Sequence, residues 1–331
     1  MKKIIASFFL VSVIISLVFL FTAVLPTPAS ALDYPTKPIQ LIVPNPPGGT
    51  NDIVARVLAP RLASVLGQAV PIVNKVGGGG ALGIKYASTS KPDGYTFLTS
   101  PPAIVLVPIL DPGIGYKLAD FSPVGLAVSS IFLIVVKGDS PWQTLDDLVK
   151  DAKKTPGKLT YSSAGQGTLF HFAGELFKVQ TGTDVVHVPM PGEAGALTGM
   201  LGGHVDMSVL SKTLAAPHLK SGTLRALAVM DEKRLSDFPN IPTSGQLGYP
   251  KMLATGWHGY FFPAKTPKVI VEKVARVFDA AFKDKEVIAN IDKTGMIVQN
   301  LILGEATKFF NDEEKKWSEV GRKIKMDEAK K

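Results

Sequence analysis

The stretch KPIQLIVPNPPGGTNDIVARVLAPRLASVLGQAVPIVNKVGGGGALGIKYASTSKPDGYTFLTS, residues 37–100, decides the fold class of this 331-residue chain. Short runs typical of strands alternate in it with segments whose apolar residues recur at helical spacing. In chain order these segments are 37–44, 53–66, 70–73, 81–88 and 95–100. The alternation of strand and helix predicts an α/β fold with parallel strands and crossover helices.

The same order of elements returns in the second half of the chain. Strands are predicted at 158–163, 184–189 and 204–211, and helices at 168–182 and 196–203. Two similar α/β lobes are therefore the natural interpretation of the sequence.

Three β-rich runs lie outside these repeats and are expected to connect the lobes. The long run 124–136 would leave one lobe and enter the other, and 224–230 and 256–264 would return. We therefore predict a first lobe formed by residues 32–130 together with 256–331. Residues 131–255 would form the second lobe, with a cleft between two hinged bodies.

The amino terminus reads as a secretory signal. Two lysines precede an apolar stretch at 4–25, and Ala29 and Ala31 flank a small-residue cleavage site. We expect residues 1–31 to be removed after Ala31 and the protein to be periplasmic or extracellular. An uncleaved membrane anchor is the alternative, because the stretch is long enough to span a bilayer.

Composition narrows the class of protein further. The chain contains no cysteine, which excludes disulfides and a lipid-modified amino-terminal cysteine. Its formal charge of +8 falls by the two leader lysines to +6. The densest charges, at 311–331, interleave both signs on a predicted amphipathic helix, so we expect no nucleic-acid partner.

Four glycine-rich loops are the candidate binding elements. Ligands of parallel α/β sheets sit outside the carboxyl ends of strands, where free N–H groups at helix starts favour negative charge. None of the four loops contains arginine or lysine, so we expect a carboxylate to be held mainly by backbone amides and hydroxyls. The loops are 46–52, 77–81, 164–168 and 191–195. Each could instead be an ordinary tight turn, with Thr50, Asn51 and Asp52 as caps of the first helix and Thr168 as the matching cap in the second half.

Other chemistries find little support. The glycine spacing Gly78-x-Gly80-x-x-Gly83 resembles a dinucleotide fingerprint, but the next strand ends in hydroxyls and not in the required acid. No nucleophile elbow is present, and the five histidines lack metal-ligand spacing. We therefore expect no cofactor, no metal and no catalytic residue, although a Ser, His and Asp converging in space stays open.

The stretch YPTKPIQLIVPNPPGGTND and its continuation, with GTLFHFAGELF, DVVHVPMPGEAGAL and GWHGYFFPAKTP, resemble the periplasmic receptors of tripartite tricarboxylate transporters, the Bug or TctC type. The resemblance covers essentially the whole chain after residue 31. It implies a two-lobed Venus-flytrap fold (type II-like) with a hinge of crossing strands. It also implies a monomeric receptor that captures a small carboxylate and delivers it to a membrane transporter.

Carried over by position, the resemblance implies a ligand-binding set drawn from both lobes: Gly48, Gly49, Thr50, Asn51, Asp52, Ser100, Ser163, Gly165, Gly167, Thr168, His171, Met190, Gly192 and Asp206. Asn45, Met190-Pro191 and His258 depart from the family's usual residues. The first two edge the presumed cleft and leave room for a ligand other than the familiar di- and tricarboxylates. An enzyme using the same cleft and a membrane-tethered sensor partner are the alternative functions.

Overall fold

The computed structural model describes residues 33–328, with side chains up to Ile324. The chain divides into two compact units, residues 1–36 and 37–331. Of the first unit only residues 33–36 are described, and they carry no helix or strand. The predicted signal peptide lies outside the described residues. All elements below belong to the second unit.

Strands and helices alternate along most of this unit. The strands are β1 (Gln40–Val43), β2 (Ile72–Asn74), β3 (Thr96–Ser100), β4 (Phe121–Lys137), β5 (Thr160–Ser163), β6 (Val186–Pro189), β7 (Met207–Ser211), β8 (Leu224–Val229), β9 (Thr255–Pro263) and β10 (Ile297–Ile302). The helices are α1 (Thr50–Leu66), α2 (Ala81–Ser88), α3 (Ala103–Leu110), α4 (Leu145–Lys154), α5 (Leu169–Thr181), α6 (Gly192–Leu201), α7 (Lys212–Lys220), α8 (Lys268–Ala281), α9 (Lys285–Asp292) and α10 (Leu303–Glu328). The predicted strand-helix alternation is confirmed in both halves.

The strands form one mixed sheet in the order β2-β1-β3-β9-β4-β7-β5-β6, and β8 and β10 also pair with β4. β1 is parallel to β2 and β3, and β5 is parallel to β6 and β7. These two parallel sets are joined through β4 and β9, which run antiparallel to their neighbours. The predicted α/β class with parallel strands is confirmed.

β4 connects the two parallel sets. It pairs with β9 and β10 as far as Ile131, and from Phe132 onward it pairs with β7 and β8. The strands predicted at 124–136, 224–230 and 256–264 are therefore present as β4, β8 and β9. The lobe boundaries at 130/131 and 255/256 stay a prediction.

The closing helix α10 packs onto this connection. Its apolar stripe, which includes Phe310, Trp317 and Val320, is buried as the sequence indicates. Glu313 joins the helix to β9, because its Oε2 accepts a hydrogen bond from the indole N–H of Trp257 and one from that of Trp317, each at 2.9 Å. A buried carboxylate that is paired in this way fixes the position of α10 on the sheet.

The two parallel sets run in opposite directions, and their carboxyl ends face each other near the middle of β4, where Ser211 at the end of β7 pairs with Phe132. β1, β2, β5 and β6 are each followed there by a glycine-rich loop that enters a helix. The four predicted glycine loops therefore meet between the two sets. Within residues 33–328, no helix combines the length and the apolar character that a membrane crossing needs.

Candidate functional site

The loop between β1 and α1 is held by Asp52. The carboxylate accepts hydrogen bonds from the Gly48 amide at 2.9 Å, from Asn74 Nδ2 at 2.9 Å and from Arg56 at 2.7 and 3.0 Å. Gly48 has φ +81°, a conformation that glycine adopts without strain. Asp52 therefore fixes a left-handed turn, and the donors that its carboxylate binds all belong to the protein.

Asp52 is ionised at neutral pH. Burial alone raises the pKa of this carboxyl, but the hydrogen bonds from Arg56, Asn74 and Gly48 outweigh burial and hold the pKa below its usual 3.8. Its negative charge lies in the first turn of α1, where the helix dipole favours it.

α1 begins without a side-chain cap. Its N-cap residue is Gly49, which offers no side-chain oxygen to the first-turn N–H groups. The N–H groups of Thr50 and Asn51 also lack partners within the helix, as all first-turn N–H groups do. The expectation that residues 50–52 cap this helix is therefore wrong. Two amide donors remain directed out of the helix start.

Asn51 and Ser100 use their side chains within the protein. Asn51 Nδ2 donates to Asn45 Oδ1 at 3.1 Å, and its Oδ1 accepts from Thr99 Oγ1 at 2.9 Å. Ser100 is fully buried and its hydroxyl donates to the Pro101 carbonyl at 2.9 Å. The Asn51 bonds to Thr99 tie the first loop to the end of β3, whereas the Ser100 bond is local to that end.

The loop between β5 and α5 is held by Ser163 and Thr168. Ser163 Oγ accepts from the Gly165 amide at 3.1 Å and is 2.7 Å from His187 Nε2. Thr168 Oγ1 donates to the Gly165 carbonyl at 2.6 Å and accepts from the His171 amide, so Thr168 caps α5 as predicted. The amides of Leu169 and Phe170, the first two residues of α5, do not donate to this cap.

A stacked pair of histidines lies beneath this loop. The rings of His171 and His187 are parallel within 20°, with centroids 4.2 Å apart. The Gly167 amide donates to His171 Nδ1 at 3.2 Å. Burial, with a smaller contribution from the positive charge of Lys178, lowers the pKa of each histidine to about 4. Both rings are therefore neutral at pH 7, and His171 supports the loop from below.

The loop before α6 leads into a helix start at which Met190, Gly192 and Glu193 have different roles. The Met190 side chain packs against α6 at Gly199, within an apolar cluster. Gly192 starts α6 with φ +77°, and Pro191 before it provides no side-chain cap. Glu193 Oε1 accepts from the Ser211 amide at 2.5 Å. Burial raises the pKa of Glu193, and the bond from Ser211 opposes that shift.

Asp206 lies at the amino end of β7, away from the glycine loops. It directly precedes β7, and its Oδ2 accepts from the amide and the hydroxyl of Thr160 at 2.8 and 2.9 Å. Thr160 begins β5, whereas Ser163 at the other end of that strand leads into the glycine loop, about 10 Å away. The structure therefore does not bring Asp206 to the other predicted residues. It stabilises the amino ends of β5 and β7 instead.

Two neighbouring cavities lie where the loops meet. Cavity A has a volume of about 410 Å³ and is lined by Gly49, Thr50 and Asn51 of the first loop, with Glu193 and Ser211 facing them. Cavity B has a volume of about 370 Å³ and is lined by residues of the other two glycine loops and of α3, including Gly78, Gly79, Gly167, Thr168 and Val107. Asn45, Pro101, Leu169 and Phe170 line both cavities, so the two are adjacent.

The charge around these cavities is sparse. Within the described part of the chain, neither cavity is lined by lysine or arginine, and each has one acidic residue, Glu193 or Asp111. Lys75, beside the second glycine loop, has its ammonium 4.0 Å from the centre of the Tyr86 ring. An anion in these cavities would therefore meet amides and hydroxyls before any cationic side chain.

Features outside these two cavities are weaker candidates for the binding site. A larger cavity of about 650 Å³ is lined by Arg234, Lys212, Lys316 and Glu313 among others, and by none of the glycine-loop residues. Among residues 33–328 no cluster of three or more His, Asp or Glu side chains could hold a metal ion.

Five of the fourteen predicted residues line the cavities, and most of the others support the lining loops. Gly49, Thr50, Asn51, Gly167 and Thr168 face the cavities. His187 was missed, because its contact with Ser163 joins two neighbouring strands and leaves no local signal in the sequence. The lining role of α3 was missed too.

Comparison with known proteins gives one consistent result. The sequence profile of the tripartite tricarboxylate transporter family receptor (TctC) matches residues 54–326. Protein BugT of Bordetella pertussis is 34% identical over 315 residues, covering 93% of this chain and 97% of BugT.

Two solved structures extend that comparison. A protein of R. palustris solved with adipate is 29% identical with a TM-score of 0.76, covering 88% of this chain and 98% of the other. MatC from Rhodopseudomonas palustris with bound malate is 25% identical with a TM-score of 0.73, covering 87% and 100%. These matches confirm the expected α/β fold of the periplasmic binding proteins.

Proposed function

Since this chain belongs to the tripartite tricarboxylate transporter receptor family, we propose that it captures a small carboxylate in cavities A and B and presents it to membrane transporter subunits. The observation that carries the proposal is the convergence of first-turn amides from two helices, α1 and α5, on cavity A. Thr50 and Asn51 open α1, Leu169 and Phe170 open α5, and all four line this cavity. The related structures with malate and adipate support a carboxylate as the ligand.

The geometry suits an anion energetically. A helix start carries partial positive charge and directs its free N–H groups outward. Hydrogen bonds to a charged group contribute about 1.5–3 kcal/mol each. Three or four such bonds reach the roughly 8 kcal/mol that micromolar binding requires, before ordering costs are subtracted.

We propose further that the site binds without catalysis. A hydrolase would need a nucleophile beside a free base. Glu193, the acid facing the first loop, is bonded to the Ser211 amide, and His171 and His187 are enclosed beneath the second loop. His258 of β9 also lines cavity A, but burial lowers its pKa to about 4, so it is a weak base. Stoichiometric binding of a carboxylate with no product on prolonged incubation would support this, and turnover would contradict it.

Export and partners follow from the same proposal. A receptor for a membrane transporter acts outside the cytoplasmic membrane, so we propose cleavage after Ala31, release into the periplasm and action as a monomer. Amino-terminal sequencing of the exported protein should give a start at Leu32. A retained leader would favour the membrane-tethered sensor instead.

A thermal-shift screen of carboxylates tests the function. Ligands at about 100 times their Kd should stabilise the folded protein by about 2.7 kcal/mol through mass action. Gly49→Val, which adds bulk at the start of α1, should abolish the shift. Gly304→Val is the matched control, because no atom lies within 4 Å of a Cβ added there. If no mono-, di- or tricarboxylate raises the melting temperature of the wild type, the proposed function is wrong.

A further inference from the structure

We propose that the ligand is an elongated monocarboxylate whose apolar tail lies in cavity B while its carboxylate lies at the helix starts of cavity A. The inference rests on the proposed function and narrows its ligand class. It is carried by the lining of cavity B, by the continuity of the two cavities and by the position of one acidic side chain.

Cavity B has two apolar walls. One is α3, whose eight residues, AIVLVPIL, are all apolar. Ile104, Val105 and Leu106 of this helix are buried in the core, whereas Val107 and Leu110 line the cavity at i, i+3 spacing. A helix that is apolar on every side is normally covered on every side. The face that carries Val107 and Leu110 is therefore available to an apolar ligand.

The opposite wall is the first turn of α5, where Phe170 is held in place. Its ring stacks on that of Phe132, with centroids 4.5 Å apart and planes within 13°. Leu110 of α3 reaches the loop before α5, since its Cδ1 would lie 3.5 Å from a Cβ added at Gly167. These contacts fix an apolar wall in advance, which lowers the ordering cost of binding a tail.

The two cavities accommodate one continuous molecule. Leu169 and Phe170 offer their amides at the start of α5, and the same two residues line both cavities. Each volume, about 410 and 370 Å³, lies within the range of roughly 300–1,000 Å³ that drug-sized ligands occupy. A four-carbon acid would leave cavity B unfilled.

The Asp111 carboxylate disfavours a second carboxylate at the far end of the ligand's tail. It is exposed, follows α3 directly and lines cavity B, and its Oδ1 accepts from the Gly113 amide at 2.9 Å. Within the described residues it is the one charged side chain lining this cavity. A diacid that reached through cavity B would bring like charges together, whereas an apolar tail would not.

Calorimetric titration of two matched series tests the inference. The monoacids are butanoate, hexanoate and octanoate, and the diacids of equal carbon number are succinate, adipate and suberate. We expect monoacid affinity to rise about fourfold for each added methylene, the equivalent of about 0.8 kcal/mol. We also expect octanoate to bind at least tenfold more tightly than suberate.

The outcomes separate this inference from the proposed function. Equal or tighter binding of the diacids, or monoacid affinity that does not change with chain length, would overturn the inference while leaving a carboxylate receptor intact. If no member of either series binds, and the broader carboxylate screen is also negative, the proposed function itself fails.

Two variants locate the tail. Val107→Asp should weaken octanoate binding at least thirtyfold and butanoate binding less than threefold. Val269→Asp, at an exposed valine of α8, is the matched control and should change neither.

Asp111→Asn keeps the oxygen that bonds Gly113 and should strengthen suberate binding severalfold, with octanoate changed less than twofold. Unchanged suberate affinity in Asp111→Asn, or equal losses for both monoacids in Val107→Asp, would contradict the placement.

Discussion

Removing the Asp52 carboxylate should destabilise the protein far more than removing its surface partner Arg56. The Asp52 side chain is 1% exposed, whereas that of Arg56 is 54% exposed. Asp52→Ala leaves the Gly48 amide without its acceptor and removes one of the two acceptors of Asn74 Nδ2, and hydrogen bonds to a charged group contribute about 1.5–3 kcal/mol each. We therefore expect Asp52→Ala to lower the free energy of unfolding by about 3–5 kcal/mol. Arg56→Ala removes a solvent-screened ion pair and should have a much smaller effect.

Urea unfolding monitored by circular dichroism measures both variants, and pH provides an internal check. The pKa of Asp52 in the folded protein lies below its unfolded value, so the carboxylate stabilises the fold above about pH 4. That contribution is lost as the pH falls through the folded-state pKa. The difference between wild type and Asp52→Ala should therefore narrow below pH 4. Equal destabilisation by the two variants, or a difference that is constant down to pH 2, would refute the positioning role of Asp52.

Three further predictions concern the framework around the cavities. Burial lowers the pKa of His171 to about 4, so its contribution to stability should be lost as pH falls from about 6.5 to 4, by up to about 3 kcal/mol. An NMR titration that finds this imidazole protonating near 6.5 would contradict the enclosed, neutral ring. Gly174→Ala should cost at least about 1–3 kcal/mol in thermal unfolding, since the added Cβ collides with the Tyr161 ring, whereas Gly304→Ala should be tolerated. Glu313→Ala should cost about 2–4 kcal/mol because two buried indole N–H groups lose their acceptor, and Glu313→Gln should cost less; equal melting temperatures for these two variants would count against that bond pair.

The elements that sequence reasoning located correctly are those with a strong local period. α1 follows from apolar residues at helical spacing, and β4 from a long β-branched run. α3 has no such period, because all eight of its residues are apolar and a proline interrupts them. Its part in cavity B depends on which face the core leaves uncovered, and that is decided only by tertiary packing.

The candidate site shows the same limit at the level of single residues. Thr168 was placed correctly as a helix cap, because capping depends on neighbours three residues away. Asp52 bonds Asn74, which is 22 residues distant, so its positioning role could not be read from the loop itself. Asp206 lies at the beginning of β7 and not at its end. The sequence of a short strand gives no signal that fixes its first and last residues.

A crystal structure with the tightest-binding carboxylate tests the central claim most directly. The predicted result is a carboxylate whose oxygens lie about 2.7–3.2 Å from amide nitrogens at the starts of α1 and α5, among Thr50, Asn51, Leu169 and Phe170. A ligand bound away from cavities A and B, or one whose carboxylate is held chiefly by lysine or arginine side chains, would contradict it.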